Sequence, residues 1–190
     1  MRIMKKSIGA MLLLSSILMA GQNGLYVGAE AGISKQKDTE SYTNSITPSS
    51  NYSETLKNRS AAYGINVGYY FDDNNRAYAF YQYISKGDYV SHTNAYGIGY
   101  DYLYGTSSLK PFVGGILGYS TFKNGDFNPK GMAYGAQVGL DYKVSHNISL
   151  DAGYRYLVSD SEFEETSPST VFTSKGENFQ SFFFAANYKF

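Results

Sequence analysis

Past residue 22, apolar side chains fall on every second position over successive stretches, and no stretch shows the spacing of an amphipathic helix. Side chains alternate across the two faces of a β-strand, so each stretch predicts a strand with one greasy face and one small or polar face. A first strand over Leu25–Gln36 sets Leu25, Val27, Ala29, Ala31 and Ile33 against Tyr26, Gly28, Glu30, Gly32 and Ser34. A second over Arg59–Phe71 sets Tyr63, Ile65, Val67, Tyr69 and Phe71 against Ala62, Gly64, Asn66, Gly68 and Tyr70. The fourth (Thr93–Tyr104), sixth (Gly131–Lys143) and seventh (Asn147–Val158) repeat the pattern, their polar sets containing Asp101, then Gln137 and Asp141, then Asp151 and Arg155. The last, Asn178–Phe190, puts Phe182, Phe184, Ala186, Tyr188 and Phe190 on one face and Ser181, Asn187 and Lys189 on the other. Two strands are mixed. In the third, Arg76–Lys86, the face with Ala77, Ala79, Tyr81 and Tyr83 is read as outward because the other carries Arg76, Gln82 and Lys86, alongside Tyr78 and Phe80. The fifth, Lys110–Phe122, is apolar on both parities, which leaves its facing open.

The links between strands alternate in length. Asp72–Asn75, Gly105–Ser108 and Val144–Asn147 are tight turns. Lys37–Asn58 and Ser159–Glu177 are long and rich in Ser, Thr, Asn and acidic residues, which predicts surface loops; Gly87–His92 and Lys123–Lys130 are of middling length. An even number of antiparallel strands with short connections at one end and longer ones at the other is the pattern of a membrane-spanning barrel. Closure follows, because an open sheet edge in lipid leaves backbone groups unpaired at several kcal/mol each. The expected fold is therefore all-β: a closed antiparallel transmembrane β-barrel of about eight strands. A secreted soluble sandwich or a lipocalin-like barrel also alternates, but its apolar faces would turn inward and its solvent face would carry bulky charged residues where this chain has glycine.

Composition sharpens the same picture. The chain holds 20 Gly, 20 Tyr and 12 Phe, with no Trp and no Cys. Amphipathic rings suit a membrane boundary, and the absence of cysteine excludes disulfides, thiolate chemistry and a lipoprotein anchor. Residues 1–20 predict a secretory signal: Arg2, Lys5 and Lys6, then the apolar run Ile8–Met19, then Ala20. Cleavage there puts Leu18 at −3, where a small residue is usual, and leaves residues 21–190 as the barrel domain. Three of the 16 basic residues lie in this leader, leaving 13 against 16 acidic ones. A mature chain near −3 without a basic cluster is no candidate for nucleic acid.

The terminal segment FFFAANYKF alternates aromatics up to Phe190 and resembles the β-signal that outer-membrane barrels present to their insertion machinery. With the signal segment, the glycine alternation and the stretch LKPFVGGILGY, the mature chain resembles the small OmpA-type and opacity-protein-like barrels. That resemblance implies residence in the outer membrane of a Gram-negative bacterium among lipids and lipopolysaccharide, as a monomer. It also implies assembly by the barrel-assembly machinery through Phe182, Phe184, Tyr188 and Phe190. Such barrels host adhesins, lipid-modifying enzymes and structural proteins alike, so function has to come from the site.

The inward stripes offer Glu30, Asp101, Asp141, Asp151 and Arg155, with Lys143 and Lys189 towards the strand ends. In a narrow lumen these predict a paired polar network, because an unpaired buried charge is costly. A gate that opens a small water path and a static plug are its two readings, the plug favoured. The only histidines are His92, beside Thr93, and His146 in a turn. His92 faintly resembles half of the His and Ser dyad of barrel lipid A deacylases, but the hydroxyl is adjacent, and adjacent strand residues point to opposite faces. No catalytic, metal or cofactor site is predicted. Asp160, Glu162, Glu164 and Glu165 are read as keeping a loop solvated rather than bridging a cation to lipopolysaccharide, and Tyr42, Tyr52 and Tyr89 suit a recognition surface. The function expected is a non-enzymatic barrel serving membrane integrity or adhesin-like contact with a host or matrix ligand. A narrow ion-conducting pore is the alternative, and a lipid-modifying enzyme the third.

Overall fold

The computed structural model describes residues 24–44, 52–85, 92–122, 130–167 and 170–190. The predicted leader, Tyr89 and most of the two middling links lie outside them. Eight strands are formed: β1 (Leu25–Asn44), β2 (Tyr52–Tyr70), β3 (Asn75–Ile84), β4 (Thr93–Leu103), β5 (Leu109–Phe122), β6 (Lys130–Lys143), β7 (Ile148–Ser167) and β8 (Thr170–Lys189). Each pairs antiparallel with its sequence neighbour, and β1 pairs with β8 to close the barrel.

The alternation of the sequence becomes the two faces of the barrel wall. Ile65, Ile98, Val113, Val138, Phe182 and Phe184 are exposed on the outside, where the solvent is lipid. Small, polar and aromatic residues of the other parity are buried inside. The two mixed strands obey the same rule. In β3 Tyr81 is exposed while Arg76, Tyr78, Phe80, Gln82 and Ile84 are buried; in β5 Val113, Leu117 and Tyr119 are exposed while Phe112, Ile116 and Ser120 are buried. Inward glycine makes these rings possible, since a Cβ at Gly139 would meet the ring of Phe112 and one at Gly153 the ring of Phe183.

Three short turns close one end. In the first, Asp72 accepts hydrogen bonds from Asn74 N at 2.7 Å and Asn75 Nδ2 at 2.8 Å. These bonds, the backbone one foremost, hold its carboxyl below the ordinary range. In the second turn, Gly105 takes φ +101°, a conformation that side chains disfavour.

The two long links differ from the expectation that they are loops. Most of Lys37–Asn58 and Ser159–Glu177 is strand: β1 and β2 stay in register out to Tyr42↔Tyr52, β7 and β8 to Ser167↔Thr170, and β1 and β8 to Asn44↔Thr170. The polar composition lacks an apolar face, which is why it reads as loop, but a ladder already started in the barrel continues through its backbone hydrogen bonds. Register shifts at Lys37/Asp38 and Val158/Ser161 mark where the ladders leave the barrel. Since β3 ends at Ile84 and β6 begins at Lys130, strands β2, β1, β8 and β7 continue outward as a four-stranded half-collar.

Candidate functional site

The lumen is organised around two buried guanidiniums. Arg155, on β7, binds Glu30 of β1 through both oxygens, Nη1 to Oε1 at 2.9 Å and Nη2 to Oε2 at 3.0 Å. Its Nε donates to Gln137 Oε1 at 3.0 Å, and Gln137 Nε2 donates onward to Asp101 Oδ1 at 2.9 Å. Asp101 Oδ2 accepts from Arg76 Nε at 2.9 Å. Arg76 then reaches Asp151 at 2.9 Å, Asp141 at 3.4 Å and the Tyr70 hydroxyl at 3.0 Å. Gln82 donates to Glu30 at 3.0 Å and Asn187 to Asp151 at 3.0 Å. One connected chain of hydrogen bonds thus crosses the barrel, from Glu30 to Asp151.

Rings sandwich both cations. The Arg155 guanidinium lies 4.7 Å from the centroid of Phe183 and 5.4 Å from that of Phe80, and Arg76 lies 5.1 Å from that of Phe112. The quadrupole of an aromatic face attracts a cation, so these rings add to the carboxylate pairing. Towards the end that carries the half-collar, Ala62, Ile84, Ala95, Ile116, Leu157 and Phe179 fill the lumen with apolar side chains. Buried hydroxyls border this filling, Ser181 donating to Ser34 at 3.0 Å and Ser120 lying 2.7 Å from Ser159. At the turn end, the rings of Tyr26 and Tyr70 meet at a tilt of 51°, centroids 5.0 Å apart, and Lys110, Lys143 and Lys189 rim a pocket of about 60 Å³.

The structure brings Glu30, Asp101, Asp141, Asp151 and Arg155 into this one network, and leaves Lys143 and Lys189 at the mouth. Arg76, Gln82, Gln137 and Asn187, which the sequence places on the polar faces without assigning them to the network, belong to it as well. A charge count points to Arg76: four inward carboxylates need more than Arg155, and Arg76 sits on the inward parity of its strand. The histidines stay apart from the network and from each other. His92 stacks outside on Tyr83 at 5.2 Å, and His146 is exposed in the last turn. Among the described residues no group of three His, Cys, Asp or Glu is placed to hold a metal ion.

At the other candidate feature, the C-terminal stripe, Phe182, Phe184, Tyr188 and Phe190 are all exposed on the lipid face. Phe190 N donates to Leu25 O at 3.0 Å, and its ring meets Tyr188 edge-on at 5.2 Å. The acidic run Asp160–Glu165 lies on the outward part of β7, and Tyr42 and Tyr52 are register partners in the half-collar rather than loop residues.

A family model, outer membrane protein beta-barrel domain, matches residues 8–190. The chain belongs to this family. As an outer-membrane β-barrel of a Gram-negative bacterium, it has solved structural neighbours of the same architecture. Neisserial surface protein A (NspA) superposes with a TM-score of 0.58 at 22% identity, over 87% of this chain and 97% of that one. Outer membrane protein H (OprH) of P. aeruginosa superposes with a TM-score of 0.51 at 24% identity, over 85% of this chain and 99% of that one. Among curated proteins no sequence match is found. At these identities the likeness shows the fold alone.

Proposed function

We propose that this outer-membrane barrel is a non-enzymatic surface-contact protein that holds its half-collar outside the cell for an extracellular ligand. The carrying observation is the difference in strand length: β1, β7 and β8 have 20 residues each and β2 has 19, whereas β3 has 10 and β4 has 11. A tilted strand of about 9–11 residues already spans the hydrocarbon. The surplus on four adjacent strands projects about 30 Å along the strand direction, at about 3.3 Å per residue. A membrane anchor has no need of that projection.

The lumen argues against the pore alternative, because its charges are bonded to one another and apolar side chains fill one end. It supports a second role in outer-membrane integrity, as a rigid body held among lipids and lipopolysaccharide. The separation of His92 from His146, and the stacking of His92 on the outside of the wall, supports the reading without enzymatic chemistry.

The deciding experiment uses a deletion strain complemented with the full chain or with a barrel cut back to two-residue turns, replacing Thr39–Thr55 and Glu162–Lys175. At matched outer-membrane levels, attachment to host cells and matrix-coated surfaces should need the full chain. Attachment unchanged in the deletion strain overturns contact as the role, and undiminished attachment by the cut-back barrel overturns the half-collar as its organ. Detergent sensitivity of the same strains reads the integrity role.

A further inference from the structure

Independently of surface contact, we propose that the outside of the wall carries a site for one two-chain phospholipid with a primary ammonium headgroup, in the leaflet on the turn side. A concavity of about 970 Å³ runs across β2 to β5, with Leu25 and Tyr134 at its margins. Its floor is Ala77 and Ala79, consecutive outward residues of β3. Register sets larger side chains on either side of each: Tyr69 and Tyr100 flank Ala77, and Val67 and Ile98 flank Ala79. The result is a furrow one strand wide between two ridges. A second hollow opens beyond Tyr100, where a Cβ added to its partner Gly115 would meet nothing within 4 Å. Two tracks side by side suit a lipid with two chains.

What fills the furrow follows from where it lies. These residues face hydrocarbon, and an unfilled gap forfeits dispersion contacts on both of its sides, so the occupant is apolar and chain-shaped. The length agrees. From Asn75 at the turn to Tyr81, the next large outward residue of β3, the strand covers about 20 Å at about 3.3 Å per residue. A tilt of about 40° makes that about 15 Å of depth, half of the hydrocarbon thickness of about 30 Å and therefore one leaflet.

The foot of the furrow selects the headgroup. The Tyr100 hydroxyl, in the wall, donates to Asn75 Oδ1, and Asn75 Nδ2 donates to both carboxylate oxygens of Asp72 at 2.8 Å. This relay ties an exposed carboxylate to the mouth of the furrow, at the level where headgroups lie. Asp73 adds a second carboxylate, and against the pair stands Lys110, its Nζ donating to Asp73 O at 2.6 Å. Lys143 and Lys189 lie on β6 and β8, outside the furrow. With two carboxylates to one ammonium, the foot disfavours an anionic headgroup. A primary ammonium brings three N–H donors to a carboxylate with acceptor capacity to spare, and a quaternary ammonium brings none.

Native mass spectrometry tests this. The mature chain is refolded into vesicles holding phosphatidylethanolamine, phosphatidylcholine and phosphatidylglycerol of identical chains in equal amounts, then transferred to mild detergent. A monomer carrying one phospholipid is expected, with phosphatidylethanolamine about two- to fivefold above each of the others, the range of an exposed ion pair. Filling the furrow in Ala77→Phe/Ala79→Phe should lower retained lipid about tenfold. Ala152→Phe, outward on β7, should leave it unchanged. Asp72→Asn should keep the lipid and lose the preference over phosphatidylcholine. Heat-modifiable gel mobility reports folding, and should the rings block it, Ala77→Leu/Ala79→Leu replaces the pair. Equal retention in the filled and unaltered barrels, a dimer in place of the lipid-bound monomer, or a headgroup preference that is absent or survives Asp72→Asn overturns the proposal.

Discussion

Each arginine of the lumen answers to more than one partner, and this decides what its loss costs. Arg155 alone neutralises Glu30, so Arg155→Met strands a buried carboxylate and should destabilise the refolded barrel by about 3–5 kcal/mol in urea titrations. The double variant Glu30→Gln/Arg155→Met, with both charges gone, should recover most of that loss. Equal deficits in the single and double variants would mean that the pairing contributes nothing beyond packing. At this scale the sequence was informative but incomplete. Alternation put Glu30, Asp101, Asp141, Asp151 and Arg155 on the inner face because a charged residue has no place on the lipid side. Arg76 is read as inward too, but Tyr78 and Phe80 share its parity and make the stripe look mixed, so the sequence does not draw it into the network. The structure removes the conflict: Phe80 faces the Arg155 guanidinium, so ring and cation belong on the same face.

A strand is defined here by its lipid face, which sets a gradient of tolerance along its length. Val138 lies midway along the outward row of β6, and Tyr142 lies near its turn end. Val138→Arg should cost about 2–4 kcal/mol and Tyr142→Arg about 0–1 kcal/mol, measured by unfolding in phospholipid vesicles. Similar penalties at the two positions would contradict the placement of the hydrocarbon. The cut-back of Thr39–Thr55 to a tight turn belongs to this scale too, because β1 and β2 keep their pairing from Leu25↔Tyr69 to Asp38↔Leu56. That barrel should still insert and show heat-modifiable mobility on gels, and failure to insert would make the hairpin part of the folding unit. Strand centres were legible in the sequence to within a residue or two, while the outer ends of β1, β2, β7 and β8 were not. Hydrophobic patterning reports where a strand meets lipid, and it falls silent where the same ladder continues into water.

The whole molecule closes on itself, and its behaviour follows from how the closure is made. With the charges of the lumen bonded and apolar side chains filling one end, reconstituted protein should give no stable single-channel conductance in planar bilayers, and discrete openings would restore the pore reading. Deleting Phe190 should lower outer-membrane yield in cells far more than it lowers refolding of purified protein, since one exposed ring contributes little burial. An equal loss in both assays would assign the residue to stability alone. The seam itself carries the last consequence. The first and last strands of the chain, 20 residues each, are joined by a ladder running from Tyr26↔Lys189 to Asn44↔Thr170, whereas β3 has 10 residues to offer its neighbours. A closed cylinder opens where its stitching is shortest, so the seam between the first and last strands is not where it should come apart. Hydrogen exchange near the unfolding midpoint should release the amides of β3 and β4 first and those of the seam among the last. The protein would then unfold by splitting along β3, keeping head and tail fastened together until the end.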